Sequence, residues 1–251
     1  MNAFIEQPRE FPSPFCPETP FAAASVPRFS ESFHEIAALL ASPACSSLYD
    51  RFKSFCMALW TDFLSASEIP AGTALLDRID AFCEALAHDL RSGFHVSTME
   101  GVPEGEIVGS LQQMLLNLLG GGLLRLIARE NRGKERFLNT AIHVHQFLRP
   151  QNLEIPAEYV ENPRFSQAVE EFRSLFHCRS PRFMLHCLAE TSKSLASLLR
   201  EASGDSRGES LGADDFVPLF IFCVLRSDAE FLNAISVYMD RFRRPNEMEM
   251  G

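Results

Sequence analysis

The chain has 251 residues, of which 46% are hydrophobic and 22% are charged, which is the balance of a globular protein with a buried core. Its formal net charge of −10 argues against the electrostatic attraction on which nucleic-acid binding depends, so we expect no nucleic-acid partner. The seven cysteines are odd in number and never spaced as CxxC, which indicates reduced thiols in a cytoplasmic chain.

Residues 1–29 carry six of the fifteen prolines, with phenylalanines between them. Because proline interrupts helical hydrogen bonding, we interpret this stretch as a disordered arm; the alternative is a peptide ligand for a partner. The N-terminus lacks a basic segment followed by an apolar one, and the apolar run over 216–225 is shorter than the roughly 20 residues of a membrane span. The sequence therefore predicts neither a targeting segment nor a membrane helix.

From Phe33 onward, apolar residues repeat at three-four spacing, which is typical of helices that bury one face. One such stripe consists of Leu48, Phe52, Phe55, Leu59 and Phe63. Further along, Asn162-Pro163 and Ser180-Pro181 each place a capping side chain before a proline that suits the first helical position. No segment alternates with period two, so the predicted fold class is all-α.

Three consecutive glycines, Gly120 to Gly122, separate two segments with helical periodicity, predicted as helices over 107–119 and 123–131. These glycines lack the spacing of a dinucleotide loop, and the chain has no GxxxxGK[ST] motif. We therefore expect no nucleotide cofactor and no other cofactor.

His143 and His145 resemble a metal-binding pair, but two residues apart on a helix their side chains point about 200° apart. They cannot converge on one ion from a single helix, and we predict no metal site. Cys178 and Cys187 each follow a histidine but lack the surroundings of a catalytic nucleophile, so hydrolase chemistry has little support.

Two adjacent carboxylates, Asp214 and Asp215, precede the nearly continuous apolar run that contains Pro218. If Asp215 is the N-cap of the following helix, Pro218 is its third residue, where a missing N–H costs little. If Asp214 is the cap, Pro218 is the fourth residue and the first intrahelical bond is lost. We therefore predict that Asp215 caps the helix and that Asp214 lies just outside it. The helix itself should run through the domain centre or offer one face to a partner.

Three short segments carry a resemblance to a known family: HQFLRP at 145–150 with LEI at 153–155, SPRFMLHC at 180–187, and GADDFVP at 212–218. Together they resemble the vacuolar protein sorting nine domain, the exchange-factor module for Rab GTPases of the Rab-five early-endosomal class. Met184 stands where the family usually has lysine, which we interpret as a packing change. Asp228 to Glu230 replace the family's asparagine and two prolines, and we expect Ser227 or Asp228 to cap the next helix.

The resemblance implies a helical bundle over 30–140 packed on a layered α-helical vacuolar protein sorting nine domain over 141–251, after the arm at 1–29. The family's tyrosine- and threonine-bearing helix would follow Gly251. We therefore expect the domain to be incomplete at its C-terminus.

The resemblance also implies a function: a guanine-nucleotide exchange factor that promotes GDP release from a Rab-five-class small GTPase in endocytic vesicle transport. Asp214 matches the family's acidic residue that is inserted toward the GTPase nucleotide site, and no covalent chemistry is involved. Asp215 and Pro218 would bind the GTPase. The implied location is cytoplasmic, with peripheral attachment to early endosomes through partners. The alternative is a catalytically weak helical scaffold or adaptor that binds a GTPase or another partner.

Overall fold

The structure, a computed structural model, describes residues 31–65, 72–93, 102–203 and 213–242. Within those ranges the chain forms ten α-helices and three short 3₁₀ turns, with no β-strand. The predicted all-α fold class is confirmed. The predicted arm over 1–29 lies outside the described residues, as does the C-terminus after residue 242.

The chain forms two compact units, with one boundary between Leu119 and Gly120 inside α4 and with the first residues of α3, up to Leu76, assigned to the second unit. The first contains α1 (Glu31–Leu40), α2 (Ser46–Ser65), most of α3 (Gly72–Gly93) and the first part of α4 (Glu104–Glu130). The second contains the rest of α4, α5 (Arg132–His145), α6 (Ala157–Glu161), α7 (Pro163–Ser174), α8 (Pro181–Ser203), α9 (Ala213–Arg226) and α10 (Leu232–Phe242). The domain boundary predicted at residue 140 falls inside α5, and the start of the family domain at 141 stays a prediction.

In the first unit, α2 and α3 run antiparallel. Arg51 Nη1 lies 2.5 Å from Asp89 Oδ2, and Arg78 Nη2 lies 3.0 Å from Asp62 Oδ2, so early residues of one helix meet late residues of the other. Exposed ion pairs of this kind contribute only about 0–1 kcal/mol each. The two helices therefore depend mainly on their buried residues at three-four spacing: Leu48, Phe52, Cys56 and Leu59 in α2, and Ile79, Cys83, Leu86 and Leu90 in α3.

Helix α4 is continuous from Glu104 to Glu130, so the two segments with predicted helical periodicity, 107–119 and 123–131, belong to one helix that runs through the glycines. Each glycine inside a helix costs about 0.5–1 kcal/mol relative to alanine, but the buried apolar residues on both sides of the glycines outweigh that cost. Gly120 also has a packing role. A Cβ atom there would lie 2.0 Å from the Arg179 carbonyl oxygen and 2.9 Å from the Tyr238 hydroxyl, so only glycine permits this approach.

Helix α4 is long and apolar enough to cross a membrane by length and composition, and it is the one such helix in the described ranges. This is weak evidence for a span, because the core helix of a soluble protein meets the same criteria. Within its most apolar stretch, 61% of the residues are buried inside the fold. We therefore treat α4 as a core helix.

The second unit is built on the antiparallel pair α7 and α8, on which α9 packs. Asn162 caps α7 as predicted, since its Oδ1 accepts a hydrogen bond of 2.9 Å from the Arg164 N–H, and Pro163 is the first helical residue. Helix α8 begins at Pro181, also as predicted. Met184 is fully buried in α8, as expected for a packing residue.

Helix α10 begins at Leu232, so neither Ser227 nor Asp228 caps it, and that expectation is wrong. The capping group comes instead from α5. The buried carboxylate of Glu135 accepts a hydrogen bond of 2.9 Å from the Ala234 N–H in the first turn of α10. A carboxylate at this position satisfies a free N–H group and interacts favourably with the helix dipole.

Candidate functional site

Helix α9 begins at Ala213, which places Asp214 and Asp215 at its second and third positions. The predictions that Asp215 is the N-cap and that Asp214 lies outside the helix are therefore both wrong. Carboxylates are also stabilised within the first helical turn, where they face free N–H groups and the positive end of the helix dipole. The acidic pair can thus belong to the helix without capping it.

Pro218 is consequently the sixth residue of α9 and lies inside the helix. Its missing N–H would have bonded to the carbonyl oxygen of the residue four positions earlier, which is Asp214. The proline therefore removes the α-helical hydrogen bond that would tie Asp214 to the next turn. The Asp214 carbonyl oxygen therefore has no i+4 backbone donor within the helix.

Helix α9 buries one face and exposes the other, although both are apolar. Phe222 is buried, with its ring centroid 5.7 Å from that of Phe165 in α7. Elsewhere around the helix, Val217 is 50% exposed and Ile221 is 45% exposed. We call Asp214, Val217, Pro218 and Ile221 the α9 stripe, because their three-four spacing places them on one helix face.

Both carboxylates are exposed, and neither makes a side-chain hydrogen bond or ion pair with the part of the chain that the structure describes. A carboxylate in this state retains its hydration and its full hydrogen-bonding capacity. Asp214 and Asp215 are therefore available to a partner.

The C-terminal end of α9 has the opposite character. Arg226 Nη1 donates to the Gln146 carbonyl oxygen at 2.8 Å, and Nη2 donates to the Leu148 carbonyl oxygen at 2.7 Å. Its guanidinium carbon also lies 4.5 Å from the centroid of the Phe222 ring. These hydrogen bonds hold the end of α9 against the HQFLRP segment at 145–150. This segment, one of the three that carry the family resemblance, therefore has a structural role here.

Arg173 of α7 reinforces the same end. Its Nη2 donates to the Arg226 carbonyl oxygen at 3.0 Å and its Nε donates to the Ser227 carbonyl oxygen at 3.3 Å. Carbonyl groups at the end of a helix have no N–H donor within the helix, and here the Arg173 guanidinium donates hydrogen bonds to them instead.

In the C-terminal half of α9, Cys223 is fully buried. Burial, together with the nearby negative charge of Glu171, raises the pKa of the Cys223 thiol to about 12. The thiol is therefore protonated at neutral pH and acts as a small apolar residue.

Comparison with known proteins identifies the stretch that contains this helix. Residues 165–250 match the family described as the Vacuolar sorting protein 9 (VPS9) domain. The chain carries a VPS9 domain. Helices α8, α9 and α10 lie entirely within the matched residues, together with Asp214, Asp215 and Pro218.

Several VPS9-domain relatives match a larger part of this chain. Vacuolar protein sorting-associated protein 9A of Oryza sativa subsp. japonica is 25% identical over 161 residues, which are 64% of this chain and 32% of that protein. The protein of the same name from Arabidopsis thaliana is 24% identical over 161 residues, 64% of this chain and 30% of its own length. GTPase-activating protein and VPS9 domain-containing protein 1 of Homo sapiens is 29% identical over 90 residues, 36% of this chain and 6% of that protein. The chain spans about a third of the length of the first two relatives.

The structure brings three of the predicted site residues to one end of α9, with Asp214 and Pro218 on the same face and Asp215 adjacent. Sequence reasoning did not identify Val217 and Ile221 as surface residues. Their three-four spacing from Asp214 could have indicated that they share its face. The sequence alone does not show that this face is exposed, because the helix is apolar on nearly all sides.

Proposed function

We propose that this chain is a guanine-nucleotide exchange factor that promotes GDP release from a Rab-five-class small GTPase in endocytic vesicle transport. The VPS9 domain and the relatives named for vacuolar protein sorting support this proposal. The observation that carries it is the exposed carboxylate of Asp214, which lacks a partner among the described residues and heads an exposed apolar stripe. We further propose that the protein acts in the cytoplasm and reaches early endosomes through its partners.

The proposed role of Asp214 follows from how a GTPase holds its nucleotide. A loop lysine and a Mg²⁺ ion neutralise the phosphates of the bound GDP. A carboxylate brought to that site competes for the lysine and repels the phosphate oxygens. At about 4 Å and an effective dielectric constant near 20, one such charge interaction amounts to about 4 kcal/mol, or roughly a thousandfold in affinity.

The apolar part of the α9 stripe supplies the contact that brings the carboxylate into place. Val217 and Ile221 follow Asp214 on the same face, and seven residues of helix extend about 10 Å. Half-exposed aliphatic side chains gain about 25 cal/mol for each Å² of apolar surface that a partner covers. We propose that this face docks on the GTPase, with Pro218 in the contact and Asp215 at its edge.

Because coupling between two ligands is reciprocal, an exchange factor that weakens GDP binding must itself bind the GDP-loaded GTPase more weakly than the empty one. Release of GDP then allows GTP to enter. The protein acts through this coupling and forms no covalent bond.

The proposal is tested by the release of a fluorescent GDP analogue from a purified Rab-five-class GTPase as the concentration of this chain is raised. We expect Asp214→Asn to lower the stimulated rate by about two to three orders of magnitude, because the variant keeps the size of the side chain and removes its charge. The matched control is Asp215→Asn, which removes a neighbouring charge from the same helical turn and should cost less than about tenfold. Thermal melts of both variants should remain close to the wild type.

Two results would contradict the proposal. If the two substitutions lowered the stimulated rate of GDP release equally, the negative charge of the helix end as a whole, and not Asp214 in particular, would promote the release. Binding of the GTPase without any acceleration of GDP release by the wild-type chain would favour the scaffold or adaptor function instead. Parallel assays with Rab GTPases of other classes test the proposed specificity.

A further inference from the structure

Cys178 and Cys187 lie side by side in the second unit. Cys178 directly follows the 3₁₀ turn Leu175–His177, and Cys187 lies in the second turn of α8. Their sulfur atoms are 3.6 Å apart, and Cys178 Sγ also donates to the Ser174 carbonyl oxygen at 3.3 Å. The turn between α7 and α8 thus brings together two thiols that are nine residues apart in sequence.

We propose that Cys178 and Cys187 form an oxidisable dithiol, which a hydroperoxide converts to an intramolecular disulfide. One sulfur attacks hydrogen peroxide, whose O–O bond breaks to give a sulfenic acid and one molecule of water, and the second sulfur then displaces the sulfenic oxygen as a second molecule of water. The two sulfur atoms lose two electrons to the peroxide, and the two waters contain both peroxide oxygens, both peroxide hydrogens and the two thiol protons. A thiol reductant reverses the step by exchange.

The geometry favours this pair over the other described cysteines. A disulfide has an S–S length of about 2.05 Å, so the sulfur atoms need to approach by only about 1.5 Å. Cys178 is half-buried and open to a small oxidant, whereas its neighbour Cys187 and the remaining described cysteines are buried: Cys45, Cys56, Cys83 and Cys223.

Within the pair, the electrostatics favour the buried Cys187 as the thiolate, next to the more exposed Cys178. The hydrogen bond between the sulfurs lowers the pKa of the Cys187 thiol and, with burial, raises the pKa of the Cys178 thiol. One thiol is thus favoured as the reactive thiolate while the other keeps its proton. In contrast, burial raises the pKa of the Cys56 thiol to about 12 and that of Cys223 to about 12, which keeps both unreactive.

A disulfide here would close the turn that connects three helices. The Arg179 carbonyl oxygen, next to Cys178, accepts a hydrogen bond of 2.8 Å from the Tyr238 hydroxyl of α10 and packs against Gly120 of α4. We expect amide hydrogen exchange over residues 179–186 to slow when the bond forms, because the turn can no longer open locally.

The test exposes the folded 251-residue chain to hydrogen peroxide, then denatures it, alkylates the free thiols and digests it with trypsin. Cleavage after Arg173, Arg179, Arg182 and Lys193 separates the two cysteines into peptides 174–179 and 183–193, each with one cysteine. We expect these two peptides to be joined and lighter by two hydrogen atoms than their sum. Five of the seven cysteines should remain alkylated, and dithiothreitol should restore all seven.

Cys178→Ser and Cys187→Ser are the matched controls, and each should abolish the joined peptide without creating another. Because the wild-type experiment needs no variant, a folding defect in either control does not compromise it. The proposal is wrong if the native chain gives no joined peptide, if Cys16 or a buried cysteine appears in the cross-link, or if oxidation occurs only after unfolding.

Discussion

The two ends of α9 differ in how the fold uses their charged groups. At the C-terminal end, Arg226 donates to two carbonyl oxygens at 2.8 and 2.7 Å, and Arg173 supplies donors to the last carbonyls of the helix. At the N-terminal end, Asp214 and Asp215 are exposed and have no side-chain partner among the described residues. The fold thus depends on charged side chains at one end and does not use those at the other.

This contrast separates charges that the fold anchors from charges that it leaves exposed within a single helix. A buried or half-buried charge that makes several hydrogen bonds is costly to remove, because its partners are left without donors. An exposed charge without partners adds little to stability, so its removal should affect only what it does to another molecule. Substitutions at the two ends should therefore affect different measurements.

At neutral pH, the largest stability effect is expected for Arg226→Ala. The substitution leaves the Gln146 and Leu148 carbonyl oxygens without donors and removes the cation–π contact with Phe222, so we expect a loss of about 3 kcal/mol of unfolding free energy. Denaturant unfolding measures it. Arg182→Ala is the control, because Arg182 is exposed and makes no side-chain hydrogen bond with the described residues. Equal losses from the two variants would show that the C-terminal end is not the anchored one.

A pH-dependent effect concerns Cys223, in the C-terminal half of α9. The Cys223 thiol has a pKa of about 12 when folded and about 9 when unfolded, so the unfolded state releases its proton first as the pH rises. The free energy of unfolding should therefore fall between these values, by about 1.4 kcal/mol per pH unit for this thiol.

Cys223→Ala isolates this contribution, because alanine does not ionise. The variant loses some packing at every pH, but its unfolding free energy should decline less steeply above about pH 9 than that of the wild type. Denaturant titrations at a series of pH values provide the comparison. Identical slopes would mean that the thiol is accessible to solvent and that α9 is less buried than the structure indicates.

The smallest effects are expected at the N-terminal end. Asp214→Ala and Asp215→Ala should each lower the unfolding free energy by only about 0.3–1 kcal/mol, through the lost interaction with the helix dipole. The same unfolding experiment measures both. A loss near 2 kcal/mol for Asp215→Ala would restore the capping role that the sequence predicted and would move the start of α9 toward Phe216.

Local patterns in the sequence predicted much of the fold. The three-four spacing indicated helices, and Asn162 with Pro163 located the start of α7 because an N-cap acts on residues two or three positions away. The continuity of α4 through Gly120 could not be predicted, since the contact that requires glycine comes from Arg179 and Tyr238. The same holds for the cap of α10, which Glu135 provides from 99 residues earlier in the chain.

In the candidate site, too, the sequence predicted local features but not those that depend on contacts between distant residues. The sequence predicted that Asp214 is available to a partner, although its reason, a position outside the helix, was wrong. It did not predict which face of α9 is exposed, because the packing of Phe222 against Phe165 decides this. The contact between Cys178 and Cys187 was likewise not predicted, since it depends on the geometry of the turn between α7 and α8.

The most direct test of the proposed role of Asp214 is the ratio of two dissociation constants, one for the GDP-loaded GTPase and one for the nucleotide-free GTPase. Calorimetry or surface binding would measure both for the wild type, Asp214→Asn and Val217→Ser. We predict that Asp214→Asn brings the ratio close to one, because the carboxylate is what opposes GDP, whereas Val217→Ser weakens both complexes equally and leaves the ratio unchanged. A ratio unaffected by Asp214→Asn would contradict this role and would reduce Asp214 to a docking residue.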